Sequence, residues 1–190
     1  MISPIFLCVL FISAFADQQQ CTANRKRLLL GFDDIQLLPT DYFSTPWPYR
    51  DFLFTRGGGW MDKHVPVINT TGVPYYSTAA SSRPNVILTT AESLTMEQMI
   101  SSKGNPTFVL HSLSMTSIFI DKMSVFIEMS RNNTILYRQV VVLPIQQQTS
   151  VIINTQVNAD KMVIGCVDPS FPTCAHIAYD DIALCYKHSQ

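Results

Sequence analysis

The chain is predicted to be all-β, a two-sheet antiparallel β-sandwich of jelly-roll form with its N- and C-terminal strands adjacent. Three observations predict this. Short runs of β-prone residues recur along the chain between turn signals, roughly eight to ten of them, the pattern of a sandwich or jelly roll. A near-copy occurs at its two ends: Asp33-Asp34-Ile35-Gln36-Leu37 and Asp180-Asp181-Ile182-Ala183-Leu184. Each carries Asp-x-Ile-x-Leu on one face of an extended chain, because strand side chains alternate. We read them as neighbouring strands that close the sandwich. The third observation is a hairpin. In Lys122 to Ser130, Met123, Val125, Ile127 and Met129 share a face, Arg131-Asn132-Asn133-Thr134 turns the chain, and Ile135 to Leu143 returns.

The elements follow in order. Residues 1–16 are an apolar run with Ala14 and Ala16 before Asp17, an h-region and an A-x-A cleavage site. The run is too short for a comfortable membrane span, and no later segment approaches that length without polar interruption. A secreted chain with no stable membrane span after leader removal is expected. Residues 17–27 are polar and read as a flexible lead. They end in Arg25-Lys26-Arg27, either a processing site or solvated charges. Residues 28–190 form one domain. Leu28 to Leu38 is the first strand, ended by Pro39. Thr40 to Ser82 is rich in proline, glycine and aromatics and lacks strong periodicity. Val86 to Thr90 is a strand, and Glu92 to Ile100 fits a short helix or a bent strand. Thr107 to Ile120 is β-rich, and Ser150–Val157, Lys161–Val167 and His176–Tyr186 complete the set.

Composition narrows the function. A formal net charge of -1 argues against a nucleic-acid partner. Charged residues make up only 14% of the chain and apolar ones 47%, enough for a substantial core. Four cysteines follow the leader, and four thiols allow three pairings. Spacing favours Cys166–Cys174 around a proline-containing loop, which leaves Cys21–Cys185 to tie the lead to the closing strand. On the loop-entropy account so long a staple stabilises by about 4 kcal/mol. No C-x-x-C cluster supports a zinc reading. Sequons at Asn69-Thr70-Thr71 and Asn132-Asn133-Thr134 are expected glycosylation sites.

No catalytic constellation is legible. His64, His111, His176 and His188 lack any G-x-S-x-G elbow, H-E-x-x-H helix or reactive cysteine beside them, and nothing pairs Glu92, Glu97 and Glu128 as glycosidase acids. In an apolar strand, His111 reads as a hydrogen-bonded core or rim residue. The aromatic third offers Trp47, Tyr49, Trp60, Tyr75 and Tyr76 as loop-borne rings for stacking on sugars. The bland alternative is that these rings plug the ends of the sandwich.

The order of motifs adds a resemblance. A "GFDDI" strand is followed by "PWPYRDF", "SRPNVIL", the "KMSVFIEMSRNNTILYRQVVVL" hairpin, "NADKMVIGC" and "HIAYDDIAL". Over about Leu28 to Tyr186 this resembles the galactose-binding-like jelly rolls of secreted proteins and carbohydrate-binding modules. The resemblance implies terminal strands side by side, with acidic residues on them that help hold a structural calcium. Asp33 and Asp180 are the expected ligands, since carboxylates crowded at the seam are relieved by a hard cation. The alternative is that these aspartates accept loop N–H bonds. The expected function is a secreted, non-catalytic module that binds a glycan or glycoprotein. An extracellular structural or protein-interaction module and a loop-acid hydrolase are the other readings.

Overall fold

The computed structural model describes residues 21–22, 24–35, 42–44, 47–57, 64–69, 85–89, 93–98, 106–167 and 176–187. Among them the chain forms thirteen strands and no helix: β1 (Lys26–Leu30), β2 (Tyr42–Ser44), β3 (Trp47–Tyr49), β4 (Phe52–Gly57), β5 (His64–Asn69), β6 (Asn85–Thr89), β7 (Ser93–Gln98), β8 (Phe108–Ser117), β9 (Met123–Arg131), β10 (Thr134–Leu143), β11 (Thr149–Ile152), β12 (Lys161–Cys166) and β13 (Ile177–Tyr186). No helix among the described residues is long and apolar enough to cross a membrane.

The strands make two antiparallel sheets. One has seven strands, ordered β11-β8-β13-β6-β5-β2 with β1 added on β13. The other has six, ordered β10-β9-β12-β7-β4-β3. Their inner faces share one buried cluster. Period-two alternation puts Met123, Val125, Ile127 and Met129 of β9 into it, with Leu94 and Met96 of β7 and Met162 and Ile164 of β12. The segment around β7, open between helix and strand by propensity, is thus a strand. Pairing with β4 on one side and β12 on the other decides it.

The β9–β10 hairpin turns on Asn132 and Asn133, at φ 50° and 62°. Two successive left-handed residues make the turn whose twist matches the flanking strands, and asparagine tolerates that region. The Asn132 N–H donates to Asp160 Oδ2 at 2.8 Å, and Asn132 is exposed at the hairpin tip. Asn69 ends β5, and its side chain lies outside the described residues.

The terminal strands are adjacent, as expected, with a different register. β1 pairs antiparallel with β13 from Lys26↔Tyr186 to Leu30↔Ile182. Asp33, Asp34 and Ile35 therefore lie beyond the seam, and residues 36 and 37 lie outside the described residues. Phe32 sits at φ 59° with its ring fully buried, and the Ile35 N–H donates to its carbonyl at 3.1 Å. Burying that ring ends the strand and puts Asp33 and Asp34 in a turn. Of the lead, residues 21–22 and 24–27 are described, and two of them are tied to the sandwich. Cys21 is bridged to Cys185 across 164 residues, with Cα atoms 5.6 Å apart. The Arg25 guanidinium donates to the Thr107 carbonyl at 3.1 Å, the Cys185 carbonyl at 3.2 Å, Thr107 Oγ1 at 3.1 Å and Asn158 Oδ1. Of the basic cluster, only Lys26 and Arg27 are exposed.

Candidate functional site

Trp47 and Tyr49, expected as exposed stacking rings, lie in the core at 7% and 8% exposure. They stack on each other with centroids 5.3 Å apart and pack around Phe32 and Phe54. Both face inward on β3, whose register on β4 is Trp47↔Phe54 and Tyr49↔Phe52. Neither presents a free face to a sugar. Only the Tyr49 hydroxyl reaches the surface, donating to Asp34 Oδ1, while Arg50 Nη2 meets Asp34 Oδ2 at 3.0 Å. The bond from Tyr49 holds the Asp34 carboxyl below its usual range. Burial, with that same bond, pushes the Tyr49 phenol up to about 12. Trp60, Tyr75 and Tyr76 lie outside the described residues.

The carboxylates of the seam part company. Asp34 belongs to the Tyr49–Arg50 cluster. Asp33 Oδ1 accepts the Asn85 N–H at 3.1 Å, and Asn85 Nδ2 donates to the carbonyls of Phe32 at 3.0 Å and Ile35 at 2.9 Å. Asp180 is fully buried, and its Oδ1 accepts the Asp181 N–H at 2.8 Å. Asp181, at φ 45°, is the extra residue of a bulge where β13 passes from pairing with β6 to pairing with β1. Asn85 begins β6 at that crossing. Asn85 Oδ1 and Asp181 Oδ1 are both buried without a hydrogen-bond partner. The backbone thus carries Asp33, Asn85, Asp180 and Asp181 to one junction, though Asp33 itself leaves the strand.

The outer face of the six-stranded sheet is a surface that sequence reading did not single out. Register places Phe126 of β9 beside Gly165 of β12, Gly165 beside Ser93 of β7, and Ser93 beside Gly57 of β4. All four positions alternate with core residues and so face outward. Two glycines and a serine keep side-chain bulk low along this row, about 14 Å long at the usual strand spacing, with Gly165 itself buried and Ser93 half-buried. Phe126 stands at its end, half-buried, with the Arg138 guanidinium 4.8 Å from its centroid. The next row along is Arg138, Glu128, Val163, Thr95 and Thr55. Beyond it Lys161 Nζ meets Glu97 Oε1 at 2.9 Å. The face therefore offers one ring, hydroxyls, carboxylates and cations above a floor without bulk. The seven-stranded sheet differs, since Val86, Leu88, Ile118 and Ala178 on its far side form a second buried cluster.

Cys166 is disulfide-bonded, and its expected partner Cys174 lies outside the described residues. His111 is buried as expected, with Nε2 2.9 Å from Cys185 Sγ. Burial, and secondarily Arg27, lowers its pKa.

No protein family and no curated protein matches the chain. Several solved structures are similar to it, two carbohydrate-binding modules among them. The family 32 carbohydrate-binding module of C. perfringens NanJ, in complex with galactose, aligns over 64% of this chain and 91% of its own length. The TM-score is 0.34 and the identity 13%. A family 16 carbohydrate-binding module aligns over 56% of this chain and 79% of its own, with a TM-score of 0.32 and 19% identity. The sandwich rests on its own strand pairing.

Proposed function

We propose that the protein is a secreted, non-catalytic module that binds a glycan on the outer face of its six-stranded sheet. One observation carries this reading: the row Phe126–Gly165–Ser93–Gly57, a flat ring at the end of a run of small residues flanked by hydroxyl and carboxylate side chains. A ring face takes sugar C–H groups, and the neighbouring polar atoms take hydroxyls. Glycan-array binding with purified protein tests it. Phe126→Ala, outside the core, is expected to abolish retention while leaving the melting temperature close to wild type. Absence of any retained glycan, or equal retention by the variant, defeats the proposal. Trp60→Ala in the same assay reports on the aromatic segment.

A structural cation at the terminal seam belongs to the same reading. Asn85 Oδ1 and Asp181 Oδ1, buried and without a hydrogen-bond partner, are oxygens of the kind calcium takes and support the reading, while the carboxylates of Asp33, Asp180 and Asp181 are not drawn together as a formed metal site would draw them. Calcium in excess should raise the melting midpoint and a chelator should lower it, because a ligand held only by the fold stabilises it. An identical midpoint in both buffers counts against the site.

The protein-interaction reading has one specific support. β10 is the edge of its sheet, ten residues long, with Ile135, Leu136, Val140 and Val142 all about half exposed. Such an edge is a template for strand addition.

A further inference from the structure

Cys21, Cys185 and His111 are far apart in sequence and lack any metal-binding spacing. In the fold their ligand atoms all lie within 4.8 Å of one another: the two sulfurs are joined as a disulfide, and His111 Nε2 stands 2.9 Å from Cys185 Sγ. Among the described residues this is the only group of three or more histidine, cysteine and acidic side chains so placed.

Two compensating bulges build it. Between Asp180↔Ser114 and Ala183↔Ser112, β13 carries one residue more than β8. Between Ala183↔Ser112 and Leu184↔Leu110, β8 carries the extra residue, and that residue is His111. A bulge re-aims a side chain that regular pairing would place elsewhere. Here it brings the imidazole to Cys185, itself 1% exposed on the neighbouring strand. Cys21 lies outside any strand and is half-buried. Two of the three residues thus sit on paired strands, and the third does not.

We propose that these three residues form a redox-gated site for a thiophilic divalent cation, Zn2+: closed as the Cys21–Cys185 disulfide, and metal-binding once an external dithiol has opened it. The reductant's thiolate attacks one sulfur and forms a mixed disulfide. Its second thiol then closes the reductant's own disulfide, so the protein gains two electrons and two protons as two thiols. Zn2+ displaces those two protons and takes both thiolates and His111 Nε2 as ligands. Zn–S and Zn–N bonds of about 2.3 and 2.0 Å need the ligand atoms several ångströms apart, so metal binding requires Cys21 to move away from Cys185 once the disulfide opens. The disulfide and the metal exclude each other, because each uses both sulfurs.

The test uses the chain with Cys8, Cys166 and Cys174 replaced by serine, leaving Cys21 and Cys185 as its only thiols. Protein reduced by a phosphine and freed of reductant is titrated with Co2+, then with Zn2+ in competition. One tetrahedral Co2+ per reduced chain is expected, with thiolate charge-transfer bands that Zn2+ removes, and none in the oxidised chain. His111→Ala should weaken binding by more than the roughly 10–100-fold that losing an outer-shell partner costs. Zn2+ should raise the melting midpoint of the reduced chain and leave that of the oxidised chain unmoved. Equal affinity in His111→Ala would reduce the finding to dithiol chelation and overturn the site. So would a reduced chain that binds no cobalt, or one that unfolds and is not refolded by Zn2+.

Discussion

Removing the Trp47 ring by Trp47→Ala takes away a side chain 93% buried against Tyr49, Phe32 and Phe54. Truncating a large buried aromatic costs about 3–5 kcal/mol. Urea unfolding should show that loss as a lower midpoint, and a variant as stable as wild type would contradict the packing. Tyr49 makes a second prediction. Its folded-state pKa, about 12, lies above the ordinary phenol value of about 10. The neutral phenol therefore stabilises the fold fully below pH ~10, and this contribution fades as the pH rises through about 12. The melting-temperature gap between wild type and Tyr49→Phe should be wide at neutral pH and shrink over that window. A gap independent of pH would mean that the phenol is not held neutral by the fold. At this scale the sequence is least informative. "PWPY" looks the same whether its rings face a sugar or a core, and only the inward parity of β3 chooses.

Elements were more legible, because their signals are local. The β9–β10 hairpin appears in the sequence through alternate apolar residues and an Asn-Asn turn, and the structure has both. Asn133 at φ 62° tolerates a conformation that costs an ordinary residue about 1–2 kcal/mol. Asn133→Val should lower stability by about that amount, while Asn133→Gly should match wild type. Both keep the Asn132 sequon intact, so any loss reports the turn itself; equal midpoints for the two variants would refute the geometry. β7 and β1 were harder. The residues of β7 suit a helix nearly as well as a strand, and its two neighbours made the choice. For β1 the repeated Asp-Asp-Ile-x-Leu pointed to the right partner and the wrong register. A slip of this kind is invisible locally, because the buried Phe32 ring and the turn it forces, not the strand's own alternation, set where pairing stops.

At the scale of the whole molecule, two long-range ties join the ends of the chain. β1 lies along β13, and the Cys21–Cys185 bridge crosses 164 residues beside it. The same closure assembles both composite clusters: the oxygen-rich junction at Asp33, Asn85, Asp180 and Asp181, and the thiol–imidazole group around His111. What the sequence by itself determined was the all-β class, the hairpin, the inward face of β9, the pairing of the terminal strands and the cysteine partner of the lead. Period-two alternation, turn chemistry and cysteine count are properties of the chain alone. The tertiary structure decided which aromatic rings are buried, that Phe126, Gly165, Ser93 and Gly57 share one row, and that a histidine from β8 meets a disulfide. These depend on register between strands distant in sequence, and that register is set by the packing of the two sheets together, which no local pattern encodes.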